Sequence, residues 1–170
     1  TEQVDFFDHI PAPSCTRYLA FGIIDDASGR LRSMDLTAAR AAPGVIAVLS
    51  AADLEHDADT SPSAHDEPLL ADAEVHYAGQ ALFLVVAETH LAARKAARLG
   101  RVDIEETTPV LSIEDALARN MRFEDGPRIY AKGDAAKAIE AAAHRIEGRI
   151  EIGGQEHFYL EGQAALALPQ

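Results

Sequence analysis

The sequence predicts an α+β fold built on a mixed sheet that contains a βαβ unit. Three observations carry that expectation. Ala81 to Ala87 is an unbroken apolar run of strand length. Thr89 then stands where a helix cap belongs, ahead of a helical pattern over His90 to Leu99 that Gly100 stops. Arg101 to Glu105 follows with strict apolar/polar alternation. Strand, helix and strand in that order imply a parallel pair joined by a right-handed crossover. In the helix, Leu91, Ala92, Lys95, Ala96 and Leu99 are expected to mark one face, and its late basic residues suit the helix dipole.

The remaining elements follow in chain order. Residues 1–14 form a polar lead with Pro11 and Pro13, expected to be extended and rich in turns. Tyr18 to Ile24 reads as a buried strand, and Asp25 to Gly29 as a turn. Leu31 to Leu36 alternates and predicts a strand with one wet face. Thr37 is placed to cap a short helix over Ala38 to Ala42, ended by Pro43-Gly44. Val45 to Leu49 reads as a fully buried strand. Glu55 to Glu67 is a polar loop, and Glu74 to Tyr77 leads through Gly79-Gln80 into the central apolar run. Ser112-Ile113-Glu114-Asp115 has capping-box spacing and opens a short helix to Arg119. Gly133-Asp134 opens another over Ala135 to Ala143. Arg145 to Ile152 alternates and predicts a strand, with Ala164 to Leu168 as its return.

Composition bounds the function. The chain has 170 residues, enough for one domain or for one and part of another. Fifteen Lys and Arg against 28 Asp and Glu give a net charge of −13. That balance argues against nucleic acid or an anionic membrane surface as partner, since both need a basic footprint. The single cysteine, Cys15, can form no internal disulfide and hold no iron–sulfur cluster. It is expected to be a buried, inert thiol. No apolar run reaches the length of a membrane span and no signal-peptide pattern opens the chain, so a cytoplasmic protein is the expectation. His56, Asp57, Asp59, His65 and Asp66 share a loop, but their spacing matches no established metal site, so a solvated loop is expected. The chain begins at Thr1 without methionine and stops at Gln170 just after an expected strand, and it reads as a piece of a longer polypeptide.

The densest chemistry lies in Gly153-Gly154-Gln155-Glu156-His157-Phe158-Tyr159-Leu160-Glu161. Two adjacent glycines allow a sharp turn or a close approach to a ligand, because no Cβ restricts φ. An amide, two acids and an imidazole after a strand suggest a loop facing a site. The same residues also suit a tight turn followed by a strand, with Phe158 and Leu160 in a core. Glu156, His157 and Glu161 would be tempting as an acid–base set. Neighbouring strand residues face opposite ways, however, so hydrogen bonds within the domain are the expectation for them.

This nine-residue segment resembles the one that opens the molybdenum-cofactor domain of xanthine dehydrogenases. Pro43 to Leu54 and Val75-His76-Tyr77-Ala78-Gly79-Gln80-Ala81 resemble the α/β hammerhead domain of the same family, and Val4 to Asp8 loosely resembles its opening. The resemblance implies that Gln155 sits beside the molybdenum and hydrogen-bonds one of its oxygen ligands; it assigns Gln80 no chemistry. It further implies that the catalytic base and most pterin contacts lie beyond this chain, so no catalytic residue is expected within it. The implied layout is a hammerhead domain over 1–111, a helical connector over 112–144 and the start of the cofactor domain over 145–170. The implied cofactor is molybdenum–molybdopterin in the full-length protein, with iron–sulfur clusters and FAD on other domains or subunits. The implied partners are the rest of the molybdenum subunit, the FAD/iron–sulfur subunit and a purine substrate, in purine catabolism. Another molybdenum hydroxylase, such as an aldehyde oxidase, and a non-enzymatic interaction domain of the same fold are the alternatives. The chain by itself is expected to be inactive and to self-associate through its apolar tail.

Overall fold

The computed structural model of the chain describes residues 9–54, 58–62, 65–122, 126, 129–158 and 163–168. These fall into two compact units, one over residues 12–112 and one formed by 1–11 with 113–170.

The first unit holds two three-stranded sheets and two helices. Its strands are β1 (Tyr18–Ile23), β2 (Gly29–Asp35), β3 (Val45–Ser50), β4 (Glu74–Val75), β5 (Ala81–Ala87) and β6 (Arg101–Glu106). Its helices are α1 (Thr37–Arg40) and α2 (His90–Ala97). One sheet runs β1-β5-β3 and the other β4-β2-β6, and all of the pairings within them are antiparallel. The α+β class therefore holds. The parallel pair expected within Ala81 to Glu105 does not form: β1 and β3 occupy both edges of β5, so β6 joins β2 instead. The charges of β6 suit that partner, with Arg32 paired to Glu105 across the strands and Arg30 Nη2 3.8 Å from Glu74 on β4.

The core gathers around β5. Leu82, Phe83, Val85 and Ala87 are buried, along with Ala93 and Ala96 of α2, Leu36, Val48 and Val75. α2 lies across β1 and β5 on its alanine face. Small residues let the helix come close, which explains why Ala93 and Ala96 are covered while Leu91 and Leu99 stay exposed. The leucine-marked face expected from periodicity is thus corrected. Thr89 Oγ1 accepts from Ala92 N at 3.1 Å, as its position predicts.

Other local expectations shift. β1 is an edge strand, and Leu19, Phe21 and Ile23 are exposed, because its outer face has no second layer among the described residues. β3 also lies on an edge and exposes Ile46. Cys15 is exposed, before β1 begins, and not buried. Thr37 is already helical in α1, and Leu36 stands at the N-cap without a side-chain cap; Asp35, one residue earlier, accepts from Thr37 N through Oδ1 at 2.9 Å. After β3, Asp53 Oδ2 accepts from both the amide and the hydroxyl of Ser50, at 2.8 and 2.7 Å, closing a 3₁₀ turn over Ala51–Asp53.

Within the core that joins the sheets, Phe83 has a special place. Gly22 lies opposite Phe83 across the β1–β5 ladder, and Gly100 immediately precedes β6. A Cβ on either glycine would overlap the Phe83 ring, and on Gly100 it would also meet Leu36 Cδ2 at 3.3 Å. The two missing side chains make the volume that the ring fills.

The second unit contains α3 (Ile113–Ala118) and α4 (Ala135–Ala141). Asn120, with φ 53°, ends α3, and Met121 N donates to Ala116 O at 2.9 Å across the closing turn. Asp134 caps α4 by accepting from Lys137 N at 3.1 Å, after Gly133 at φ 70°. Neither expected strand appears in this unit: residues 145–152 and 164–168 form no regular element. A strand is held by hydrogen bonds to a neighbour, and none is paired with either segment among the described residues.

Two predictions follow from this packing. An alanine in an unstrained strand site ordinarily gains slightly over glycine, but Gly22→Ala should lose about 1–3 kcal/mol by overpacking against Phe83. Urea denaturation measures it, and combining the change with Phe83→Leu should recover part of the loss. The second concerns acid. Asp53 is held below its ordinary value of 3.8 by the Ser50 amide and then its hydroxyl, and Asp35 by the Thr37 hydroxyl and then its amide. A carboxyl depressed in the folded state stabilises above its unfolded pKa and loses that contribution as pH falls through the folded one. The urea midpoint should therefore be flat above about pH 5 and fall below about pH 4. The gap between the wild type and Asp53→Asn should close over the same range.

Candidate functional site

Gln155 lies in the second unit, within residues 144–158, where the chain has no regular element. The side chain is exposed, and a Cβ built on Gly153 or Gly154 would meet nothing within 4 Å. The glycines therefore leave the backbone open to a close approach. Glu156 Oε1 accepts from Phe158 N at 3.3 Å, and Phe158 has φ 55°, so the chain bends sharply just after Gln155. Strand alternation therefore does not apply to Glu156 and His157, though Glu156 makes a hydrogen bond within the domain, as expected. Glu156 turns instead to its own backbone. Tyr159, Leu160 and Glu161 lie outside the described residues.

An amide suits the neighbourhood of an anionic or electron-rich ligand, since its NH₂ donates and its carbonyl can accept a backbone amide. One such side chain makes one contact. A metal–pterin group needs a set of donors converging from several elements, and the described residues around Gln155 do not supply it. Among the described residues no group of three or more His, Cys, Asp or Glu is placed to hold a metal. In the loop where metal ligands could be imagined, Asp59 is engaged with Ser61 N at 2.9 Å, Glu67 N at 3.2 Å and His65 Nδ1 at 3.7 Å. His56 and Asp57 fall outside the described residues.

Gln80 has the opposite character. It is 3% exposed, the one buried polar residue among those described, and its Oε1 accepts from His76 N at 2.8 Å. Its own carbonyl accepts from Ile24 N at 3.1 Å, and Gly79 N donates to Ile24 O at 2.6 Å. Gln80 satisfies a turn, as expected, and ties β1 to the entry of β5.

The profile described as "Aldehyde oxidase and xanthine dehydrogenase, a/b hammerhead domain" matches residues 1–108. The chain belongs to this family. A second profile, "Molybdopterin cofactor-binding domain", matches residues 120–170 of this family member. Xanthine dehydrogenase of Drosophila pseudoobscura pseudoobscura is 40% identical over 172 residues, covering 100% of this chain and 13% of that protein. Aldehyde oxidase 1 of Rattus norvegicus is 34% identical, over 100% of this chain and 12% of that protein. Among solved structures, quinoline 2-oxidoreductase from Pseudomonas putida 86 superposes with a TM-score of 0.68 at 27% identity, covering 82% of this chain and 20% of that one. Aldehyde oxidoreductase from Desulfovibrio gigas gives 0.65 at 25% identity, over 78% and 16%. The chain thus spans only about an eighth of the length of these relatives. None of the helices among its described residues is long and apolar enough to cross a membrane.

The two glutamines should respond oppositely to truncation in this chain. Gln80→Ala strands a backbone amide and should cost about 1–3 kcal/mol. Gln155→Ala removes no packed atom and should leave the urea midpoint unchanged. A midpoint loss at Gln155 as large as at Gln80 would contradict the exposed placement.

Proposed function

We propose that the chain supplies the hammerhead domain and the opening segment of the cofactor domain in the catalytic subunit of a xanthine dehydrogenase. The reaction is hydroxylation of hypoxanthine and xanthine towards urate. The observation that carries this reading is identity of 33–40% to xanthine dehydrogenases over 97–100% of the chain. An aldehyde-oxidising or other heterocycle-oxidising member is the second reading, favoured by the 34% identity to aldehyde oxidase 1 over the full chain. In this proposal residues 1–111 form the hammerhead domain, 112–144 a helical connector and 145–170 the start of the cofactor domain. The protein works in the cytoplasm, with iron–sulfur clusters and FAD on other domains or subunits.

Molybdenum–pterin, held mainly by residues outside this chain, would supply the redox chemistry. Gln155 would offer that centre a neutral hydrogen-bond donor, and Gly153 and Gly154 would allow its backbone a close approach. A carboxylate in its place would add negative charge beside an electron-rich ligand. The base, the purine contacts and most pterin contacts come from residues outside this chain. By itself the chain is catalytically inert, and it associates with a second copy through the apolar tail from Gly153 to Leu168, where Phe158, Leu166 and Leu168 are exposed.

In the full-length enzyme Gln155→Ala should lower turnover of xanthine on the order of ten- to a thousandfold, with molybdenum content retained. Gln155→Glu should lower it further. Wild-type rates in both variants would remove Gln155 from the centre. The purified 170-residue chain should carry no molybdenum and oxidise no xanthine, and turnover of an aldehyde but not xanthine by the full-length enzyme would favour the second reading.

A further inference from the structure

The segment Arg145-Ile146-Glu147-Gly148-Arg149-Ile150-Glu151-Ile152 has a charge pattern that its unpaired state leaves unused. Its odd positions read Arg, Glu, Arg, Glu, and its even positions Ile, Gly, Ile, Ile. All eight residues are exposed. Among the described residues, the segment forms an ion pair from Arg149 Nη2 to Glu114 Oε1 at 2.8 Å, between two side chains that are both mostly exposed. Such a pair contributes little and exchanges readily for another.

We propose that this segment pairs antiparallel with the same segment of a second copy, with Gly148 on the twofold axis. The proposal rests on the self-association reading above and assigns it a register. With Gly148 opposite itself, Arg145 faces Glu151, Glu147 faces Arg149 and Ile146 faces Ile150, each pair occurring twice. Every charge then meets its opposite across the ladder, where opposite pairs stabilise and like pairs destabilise. Sliding the strands by two residues in either direction brings Arg opposite Arg and Glu opposite Glu, and sliding by one sets isoleucine against charge. A charged residue on the axis would face its own copy, and glycine removes that conflict. By contrast β6, an edge strand with Arg101, Asp103, Glu105 and Glu106, carries a charge excess that discourages edge pairing. The net charge of −13 opposes approach of two copies, but salt screens it beyond about 8–10 Å.

The test uses the 170-residue chain in a Cys15→Ser background. Gly148→Cys should form a disulfide-linked dimer under mild oxidation. Ile152→Cys should not, because the register separates it from its own copy by about 27 Å. In sedimentation equilibrium, Glu147→Arg and Arg149→Glu should each weaken the dimer by about tenfold, and the two together should restore it. Glu114→Gln should leave it unchanged, which separates the ladder from the Glu114 contact. A monomer at all concentrations, as expected if 145–152 pairs only with a strand of a longer polypeptide, overturns both this register and the self-association reading. A dimer indifferent to the single reversals overturns the register alone and leaves association through 153–168.

Discussion

The first unit depends on the volume that Gly22 and Gly100 leave for the ring of Phe83. Phe83 belongs to the central strand of one sheet, Gly22 to its neighbour, and Gly100 to the turn that opens β6 in the other sheet. Filling that space with one buried aromatic ring removes a large apolar surface from water and fixes how closely β1, β5 and the start of β6 approach. Leu36, just after β2, closes the same space. The helix above β5 is held by Ala93 and Ala96, which work only because the layer beneath is already set.

The second unit has no comparable centre. α3 and α4 are short, and neither buries a residue. Isolated helices of six or seven residues are marginal in water without a packed face. Here local hydrogen bonds from Asn120 and Asp134 define the elements, and the apolar residues from Ile146 to Leu168 lie open to solvent. That imbalance fits a chain spanning about an eighth of the proteins it resembles: the residues nearest the proposed cofactor contact are those with the least cover.

Glutamine plays two physical roles in one chain. Gln80 is enclosed, and its amide oxygen replaces a backbone acceptor for His76 N. Gln155 is open, beside two glycines, with both ends of its amide available to a ligand. Residue type alone does not separate them. The separation comes from what surrounds each, an apolar sheet entry in one case and an irregular segment in the other.

Much of the element pattern was legible locally. The apolar run of β5, the Thr89 and Asp134 caps, and the alternation of β2 and β6 report short-range physics, because a cap or a strand period is written within a few residues. The nine-residue segment from Gly153 identified the family, though not the geometry at Gln155. Pairing and burial were not legible. Whether β6 joins β5 or β2, whether Leu19 and Phe21 face a layer or water, and whether Cys15 is covered all depend on distant residues. The same holds for Arg145 to Ile152, whose alternation is that of a strand while its hydrogen-bonding partner is not part of the pattern. A sequence specifies the face a strand can present; only the tertiary structure decides whether another strand is there to receive it.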